Sequence, residues 1–593
     1  MTKRHIYETG IIGNCAYIAH VHKDTNINWL CWPRFDSSFI FGGMLDAKKG
    51  GEFSIRPETA YTSRQYYLEN TNVLYTEIES QEGKYRIVDF APRFFQFERY
   101  YKPLMLVRKI ELLSGRPLIK VVCDPRGEYG ELDIHPYINS NHLEYRGLED
   151  PIRLTTDVSL SYIKERKAFV LNENKYLVLT YGTPLEAPLH NTMEDFYKKT
   201  VLYWRQWVQN TGIENFSQQQ VIRSSLALKI HQYEDTGAII AASTTSLPEA
   251  PGSGRTWDYR YCWLRDSYYI LLAFNNIGHF EELERYFHFL ENITITSKDR
   301  YQPLYGITGE RKLVEKQLSL EGYLGNKPVR IGNQAYEHIQ NDAYGQILTT
   351  LLPLYMDQRI LYKARVDAAE WVTNILHKIE ATIHEPDAGL WEFRNIRQHH
   401  CYTHLFNWAG CCAAIKLAEK INNAKLKRLA MRLKKESAQM IEGCYDPKRK
   451  VYTQANESPY LDASTLQLIL MNYLDPNSQR AKDHLACLEE RLKADNGLFY
   501  RYKHRDDFGK PETTFLVTAF WYVEVLAHMN RIEEAVENFE QLLKYTNHLG
   551  LFSEDVEAGT GSQWGNFPQA YSHVGVMNAA YRIAKKIDKP LFL

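Results

Sequence analysis

The second part of this 593-residue chain carries one amphipathic helical pattern after another. Leu426, Leu429, Ala430 and Leu433 are spaced i, i+3, i+4 and i+7, which puts them on one face of a helix. Comparable stretches predict twelve helices, at 220–233, 265–276, 279–297, 338–357, 359–381, 402–419, 423–442, 461–471, 478–493, 513–529, 531–546 and 568–587. Two antiparallel helices repeated six times are the pattern of an α/α toroid, although no sequence repeat is visible.

The chain before Pro188 has a different pattern, which is typical of β structure. Segments 104–113 and 118–123 are apolar, rich in β-branched residues and joined by a Ser-Gly turn. A second pair of short apolar segments lies at 168–171 and 176–181. These are hairpin signals, and several of them with Gly and Pro between them favour an N-terminal β-sandwich.

Charge and hydrophobicity exclude two classes of protein. The chain has 71 basic and 72 acidic residues, a formal net charge of −1, and no block of Lys and Arg. Nucleic-acid binding rests on neutralising many phosphates, so we predict no nucleic-acid partner. With 44% hydrophobic residues and little net charge, the chain is also not predicted to be disordered.

Targeting signals and cysteine spacing point to a reduced intracellular protein. No apolar stretch follows the basic residues near the N-terminus, so no secretory signal is predicted. No apolar run reaches the roughly 18 to 20 residues that a membrane span needs. The nine cysteines contain no CxxC pair, which argues against a zinc ribbon and a disulfide framework. We therefore predict a cytoplasmic protein without a membrane contact, a metal or another cofactor.

The connections between the predicted helices contain the residues best suited to chemistry. Long connections in a compact domain are uncommon and usually functional. In an α/α toroid alternate loops meet at one end, so residues far apart in sequence can share one pocket. The long connections are rich in Trp, Tyr, Asp, Glu, Arg and Gly, and they span 248–264, 298–337, 383–401, 443–460, 494–512 and 547–567.

Two of these connections place a carboxyl group among aromatic residues. Glu392 lies between Trp391 and Phe393, and Glu554 lies two residues after Phe552. Flanking rings would desolvate Glu392 and favour its neutral form, which suits a general acid. A second carboxylate in a more polar loop would stay ionised and activate water, and the two together are the minimal apparatus for glycoside hydrolysis.

Other residues and motifs compete with this interpretation. Glu385 and Glu557 are equal candidates from context alone. Nucleotide-binding, zinc-protease and serine-hydrolase motifs are missing from the sequence, so those functions lack support. The adjacent His399 and His400 are interpreted as a solvated loop pair.

Residues 257–266, WDYRYCWLRD, combine aromatic rings, guanidinium groups and carboxylates at a predicted helix start. Arg and Asp together match vicinal sugar hydroxyls, while aromatic faces accept the C–H face of a pyranose. The alternative is a buried structural salt bridge between Arg265 and a nearby acid. The sequence leaves both interpretations open.

At this point the motifs resemble glycoside hydrolase family 15, the family of glucoamylases and bacterial trehalases, along nearly the whole chain. The motifs that carry the resemblance occur in order: GNCAY (13–17), WLCWPRFD (29–36), the 257–266 block, GNQA (332–335), QNDAYG (340–345), GLWE (389–392), LDAS (461–464), RY (501–502), FW (520–521), FSE (552–554) and GNFPQ (565–569). The resemblance implies a β-sandwich over 1–190, a helical linker over 191–218 and an (α/α)6 catalytic barrel over 219–593.

The resemblance also assigns roles by position. It implies that Glu392 is the general acid, that Glu554 is the general base, and that Tyr259 orients the base and its water. It implies substrate-binding roles for the following residues: Arg265, Asp266, Trp263, Trp391 and Arg501. Fungal members have Gln after the base, whereas Asp555 follows Glu554 here; an inward Asp555 could raise the pKa of the base, and an outward one would be silent.

The implied activity is that of an inverting exo-acting hydrolase which releases β-glucose from the non-reducing ends of α-glucosides. We rank α-1,4-glucans and maltooligosaccharides first as substrates and α,α-trehalose second. No starch-binding module is recognisable, which favours soluble short glucosides or dextrins over raw starch granules. A disaccharide phosphorylase and an inactive sugar-binding relative are further alternatives. The sequence does not indicate the oligomeric state.

Overall fold

A computed structural model describes residues 4–295, 299–361, 363–364 and 367–587. Its N-terminal part consists of antiparallel β-sheets. The strands are β1 (Thr9–Gly13), β2 (Ile18–His22), β3 (Ile27–Cys31), β4 (Phe39–Phe41), β5 (Glu52–Pro57), β6 (Tyr61–Tyr67), β7 (Leu74–Ser80), β8 (Gly83–Phe90), β9 (Phe94–Gln96), β10 (Arg99–Tyr101), β11 (Met105–Gly115), β12 (Leu118–Asp124), β13 (Arg126–Gly127), β14 (Leu132–Asp133), β15 (His135–Ile138), β16 (His142–Arg146), β17 (Ile152–Thr156), β18 (Phe169–Val170) and β19 (Lys175–Tyr181).

The largest sheet has eight strands in the order β15-β16-β17-β19-β11-β8-β7-β6. Successive side chains of a strand point to opposite faces. Leu106 and Leu177 therefore lie in the main core, which they share with the sheets β1-β2-β3-β4 and β18-β12-β5. Val107 and Val178 belong to a separate core on the other face. The predicted β-sandwich is confirmed.

Two helices precede the barrel: the short α1 (Leu160–Lys164) and the long α2 (Leu189–Gln209). The side chain of Met193 on α2 belongs to the second core of the large sheet, so this helix covers the face that would otherwise be exposed. The division of the chain at residues 190 and 218 remains our proposal.

Twelve further helices form the α/α barrel, as predicted. They are α3 (Gln218–His231), α4 (Leu264–Asn276), α5 (Phe280–Ile295), α6 (Asp342–Met356), α7 (Ala368–Thr382), α8 (Cys401–Lys420), α9 (Ala424–Glu442), α10 (Gln467–Leu470), α11 (Gln479–Leu492), α12 (Leu516–His528), α13 (Ile532–Leu543) and α14 (Ala570–Ile587). Helices α4, α6, α8, α10, α12 and α14 contact one another in that order, and α14 contacts α4 again. The inner ring of the barrel is therefore closed.

Two glycines allow the closest helix pair of this ring. A Cβ atom on Gly345 of α6 would lie 2.1 Å from the carbonyl oxygen of Phe406, and one on Gly410 of α8 would lie 2.8 Å from the Gly345 Cα atom. Only glycine fits at such distances, so α6 and α8 pack backbone to backbone. This contact fixes the helix that follows the Glu392 loop.

Two predicted helices differ from the structure. Among the described residues of the stretch at 359–381, the helix begins at Ala368, and Asp367 caps it by accepting hydrogen bonds from the backbone N–H groups of Ala369 and Glu370. The stretch at 461–471 forms a 3-10 turn (Ala463–Leu466) followed by the single turn of α10. Residues 296–297, 362 and 365–366 of the predicted helices lie outside the described residues.

Short strands stiffen the connections at one end of the barrel. They are β20 (Cys262–Trp263), β21 (Leu304–Tyr305), β22 (Lys316–Leu318), β23 (Val329–Ile331), β24 (Tyr445–Asp446), β25 (Val451–Tyr452), β26 (Thr514–Phe515), β27 (Asp555–Val556) and β28 (Gln563–Trp564). The N-terminal domain supports these connections, because the Tyr7 hydroxyl donates to the Gly565 carbonyl at 2.9 Å and the Trp29 Nε1 donates to the Ser243 carbonyl at 2.7 Å. Within the described part of the chain, no helix is long and apolar enough to cross a membrane.

Candidate active site

A pocket of about 860 Å³, including the open water at its mouth, lies where these connections meet. Five of the six long connections contribute side chains to its lining. The connection 443–460 contributes none, but Asp462 behind it holds one pocket wall. Residues that the sequence separates by more than 300 positions therefore share one cavity.

The turn that carries Glu392 depends on a glycine and a buried histidine. Gly389 has a φ of +66°, and a Cβ atom there would lie 2.7 Å from Nε2 of His400. The His400 ring is 3% exposed and stacks on Phe393 at a centroid distance of 5.9 Å. Glu392 itself has a φ of +62°, a conformation that an L-residue adopts only when its surroundings impose it.

One oxygen of Glu392 accepts three hydrogen bonds. Oε1 receives the Trp263 Nε1–H at 2.7 Å, the Arg265 Nη2–H at 3.3 Å and the Gln340 Nε2–H at 3.3 Å. These N–H groups can only donate. When Glu392 is protonated, its proton must therefore be on Oε2, the oxygen to which none of these three groups donates.

Glu554 is 1% exposed, and both of its oxygens are held. The Tyr259 hydroxyl donates to Oε1 at 2.7 Å, and the Asn566 backbone N–H donates to Oε2 at 3.1 Å. Burial, followed by the negative charge of Glu249, raises the pKa of Glu554 to about 8. The carboxylate is therefore a stronger proton acceptor than an ordinary glutamate.

The two carboxyls differ in burial in a way that the sequence did not indicate. Glu392, predicted to be partly desolvated by its flanking rings, has a side chain that is 21% exposed and lies against the Arg265 guanidinium. Glu554 is 1% exposed and is the more deeply buried of the two. The hydrogen bonds to Glu392 come from residues distant in sequence, so its neighbours in the chain do not by themselves describe its surroundings.

The structure shows the ion pairs of Arg265 in the 257–266 block, while its role in sugar binding stays a proposal. Arg265 pairs with Glu392 at 3.3 Å and with Asp266 at 4.0 Å, and its Nη1 donates to Gln340 Oε1 at 3.0 Å. Asp266, which follows it in the first turn of α4, lines the pocket and is 4% exposed. Burial raises the pKa of Asp266 to about 7, against the opposing effect of Arg265.

The remaining residues implied by the resemblance also line this pocket. The Trp391 ring is held in place because its Nε1 donates to Asp462 Oδ2 at 2.7 Å. The same ring packs edge to face against Phe515. Trp263 is fixed by its bond to Glu392. Arg501 is 8% exposed and donates to Glu249 Oε2 at 2.5 Å. All eight residues to which the resemblance assigns a role therefore line one pocket.

Asp555 points inward. It is 1% exposed on β27, and its Oδ2 has no hydrogen-bond partner among the described residues. Burial and the charge of Glu554 raise the pKa of Asp555 well above its ordinary value. A protonated, neutral side chain fits these surroundings.

Other residues that the sequence analysis named are placed as follows: Glu385 and Glu557 lie outside the pocket, and His400 is buried rather than solvated. Glu385 pairs with Arg300 outside the pocket, and Glu557 accepts from Thr560 in a turn that does not line it. The prediction that His399 and His400 are a solvated pair was wrong for His400. Burial lowers the pKa of His400 to about 4, so the neutral ring can pack beneath the Glu392 turn.

Further residues of the pocket escaped the sequence analysis, among them the polar residues Glu249, His338, Gln569 and Tyr571. Glu249 is buried, and it accepts from Arg501 and from Trp257 Nε1. Gln569 Oε1 and the Tyr571 hydroxyl have no partner among the described residues although both are buried, and the same holds for Nδ1 of His338. Buried polar groups without partners are costly, and in a pocket they mark positions for ligand hydroxyls. The one available signal was the position of Gln569 in the GNFPQ motif.

Comparison with known proteins accounts for this architecture. A family model described as glycosyl hydrolases, family 15, matches residues 215–581, and a model described as trehalase-like, N-terminal, matches residues 2–169. The crystal structure of a bacterial glucoamylase complexed with acarbose shares the fold, with a TM-score of 0.68 over 99% of this chain and 96% of that chain at 14% identity.

Relatives match along almost the whole length. A trehalase of Thermoplasma volcanium is 33% identical, covering 98% of this chain and 93% of that protein. A trehalase of Mycobacterium tuberculosis is 30% identical, covering 94% of this chain and 87% of that protein. The chain is therefore a glycoside hydrolase and belongs to glycosyl hydrolase family 15.

Proposed function

We propose that this enzyme hydrolyses α,α-trehalose to two molecules of glucose with inversion at the attacked carbon. The observation that carries the proposal is that relatives 28–33% identical over at least 94% of this chain are named trehalase. The sequence alone ranked α-1,4-glucans first and trehalose second, and these relatives favour the second substrate. The glucoamylase match supports the fold only.

Glu392 acts as the general acid in this proposal. Its Oε2 proton passes to the glycosidic oxygen as the bond from that oxygen to the anomeric carbon breaks. The three N–H donors on Oε1 support the role, since they keep the proton on Oε2 and stabilise the carboxylate that is left after transfer.

Glu554 acts as the general base. It takes a proton from a water molecule whose oxygen attacks the anomeric carbon from the face opposite the leaving group. Tyr259 and the Asn566 N–H fix the carboxylate, and its raised pKa strengthens it as an acceptor near neutral pH. Each cycle moves one proton from Glu392 to the leaving sugar and one from water to Glu554, and solvent exchange restores both groups.

The sugar that is attacked lies at the base of the pocket. Arg265 and Asp266 bind its hydroxyls, while Trp263 and Trp391 form the walls. The unpaired groups of Gln569 and Tyr571 supply further hydrogen bonds to hydroxyls. The positive charge of Arg265 and Arg501 also stabilises a site that contains several carboxyls.

The test is a comparison of substrates with the purified protein. Glucose release is measured from trehalose, maltose, maltotriose and isomaltose, and proton NMR records the first anomers formed. We expect trehalose to be preferred and to give α- and β-glucose in equal amounts at early times. A preference for maltotriose would support the exo-glucanase alternative, two α-anomers would refute inversion, and phosphate-dependent formation of glucose 1-phosphate would identify a phosphorylase.

A further inference from the structure

One side of the pocket is lined by a short turn, residues 503–510, which we name the latch loop. Asp506 and Gly509 pair across its tip. Its Asp507 reaches over to the connection that carries Glu392, where Oδ2 accepts from the backbone N–H of Arg394 at 2.6 Å and Oδ1 accepts from Asn395 Nδ2 at 3.0 Å. The latch loop is therefore tied to the backbone two residues after the proposed acid.

A second tie joins the latch loop to the connection 248–264. Asp506, whose side chain is 4% exposed, accepts from Arg255 Nη2 at 2.5 Å and from the Tyr502 hydroxyl at 2.5 Å. Arg255 Nη2 also donates to the Gly509 carbonyl at 3.0 Å. Three connections of the barrel thus meet at this side of the mouth.

Aromatic rings and guanidinium groups fill the space between these ties. The Phe508 ring meets the Trp257 ring edge to face at a centroid distance of 4.9 Å. The Arg394 guanidinium lies 4.7 Å from the centre of the Trp257 ring and 5.2 Å from that of Phe508. Its Nη1 and Nη2 are already bonded to Gln334 and Glu315. Ring–ring and cation–π contacts of this kind are stabilising.

The polar groups of the latch loop and of Arg394 form hydrogen bonds with other protein groups. Asp506, Asp507 and Arg394 all have protein partners, and they line the pocket together with Trp257 and Phe508. Because these contacts hold the Phe508 ring in place, a sugar ring that extended in this direction would have to displace it.

The burial of the lining residues indicates how far the latch loop lies from the base of the pocket. Arg265, Gln569 and Tyr571 at the base are at most 8% exposed, whereas Phe508 and Asp507 at the mouth are half-buried. An exo-acting enzyme binds the attacked sugar at the base and its leaving group nearer the mouth. We infer that Phe508, braced by the Asp507 tie, limits the leaving-group site to a single sugar ring and so selects disaccharides. This inference rests on the proposed function.

The experiment compares kcat/KM for trehalose and for the trisaccharide in which one ring of trehalose carries a further α-1,4-linked glucose. Hydrolysis of the 1,1-bond of the trisaccharide yields maltose only when a two-ring leaving group fits. We expect Phe508→Ala to lower the preference for trehalose by about tenfold, the size of effect that one pocket contact typically supplies. Asp507→Ala should change the preference in the same direction, because it frees the loop without removing the ring.

Phe97→Ala is the matched control, because Phe97 is 83% exposed on the N-terminal domain and should leave the preference unchanged. The midpoints of thermal unfolding show whether each variant is folded. An unchanged preference in folded Phe508→Ala and Asp507→Ala refutes the inference while trehalose hydrolysis persists. If the wild type cleaves maltose but not trehalose, the trehalase proposal fails. The disaccharide preference is then measured as the ratio of kcat/KM for maltose to kcat/KM for maltotriose. No cleavage of either disaccharide overturns both.

Discussion

The charge of Glu249 gives the most direct test of how the site controls its base. Glu249→Gln removes a negative charge beside Glu554 but keeps a side-chain oxygen that can accept from Arg501 or Trp257. Burial is the largest cause of the raised pKa of Glu554, and the charge of Glu249 is the second. Burial is the same in the variant, so the pKa should fall only part of the way to its ordinary value.

The magnitude follows from the interaction of two like charges. At an effective dielectric constant of about 20, unit charges roughly 6 Å apart interact by about 3 kcal/mol, which is about two pKa units. Arg501, which is 2.5 Å from Glu249, is present in both proteins, so its own effect on the pKa of Glu554 cancels in the comparison. We therefore expect the pKa of Glu554 to fall by about two units, equivalent to about 3 kcal/mol.

The readout is the pH dependence of kcat/KM on trehalose, which reports groups of the free enzyme. The base must be ionised, so kcat/KM falls as the pH drops through the pKa of Glu554. A lower pKa moves this acidic limb to lower pH by about two units. Glu385→Gln is the matched control because Glu385 pairs with Arg300 outside the pocket. A limb that stays in place, or moves to higher pH, would falsify this account of the base.

Three further predictions concern single side chains of the site. Glu392→Gln and Glu554→Gln should each lower kcat by about 100-fold or more because each removes a proton-transfer group. Both variants should keep the circular dichroism spectrum of the wild type, and the control Glu557→Gln should keep its kcat. Full activity in either variant would remove that residue from the mechanism. Asp555→Asn should keep kcat within about threefold, because burial and the charge of Glu554 favour the neutral form of Asp555, which Asn resembles. A steady-state assay that shows a large loss would mean that the charge of Asp555 is used. Tyr571→Phe should lower kcat/KM about tenfold without lowering the unfolding temperature, since it removes only an unpaired hydroxyl; equal kcat/KM would mean that this hydroxyl contacts no substrate.

The fold could be predicted from the sequence because it rests on local patterns. Each predicted barrel helix has a counterpart in the structure, and the apolar stripe through Leu426 and Leu433 does face the core. The start of α7 was missed although Asp367 is a strong N-cap signal. An amphipathic pattern cannot by itself show where the chain changes from loop to helix, whereas a capping side chain can.

The site could be predicted only in part, for a reason that lies in the backbone. The carboxyl groups of Glu392 and Glu554 were identified, but their environments were inferred from neighbours in sequence. In the structure Glu392 has a left-handed φ. Its carboxylate accepts hydrogen bonds from Trp263 and Gln340, which are more than 50 positions away in the sequence. Neighbours in sequence describe a side chain's surroundings only where the backbone is regular.

The same reasoning explains why Tyr571 escaped notice. On α14 it occupies one position of a long buried stripe, so the sequence presents it as an ordinary core aromatic. Only closure of the inner ring brings α14 against α4, and with it the Tyr571 hydroxyl beside Arg265 and Asp266, whose charges affect its pKa. A core residue becomes a candidate ligand-binding residue when its polar atom is buried at the open end of the barrel with no partner among the described residues. That property belongs to the closed ring and not to any one helix, which is why a helix-by-helix interpretation could not reveal it.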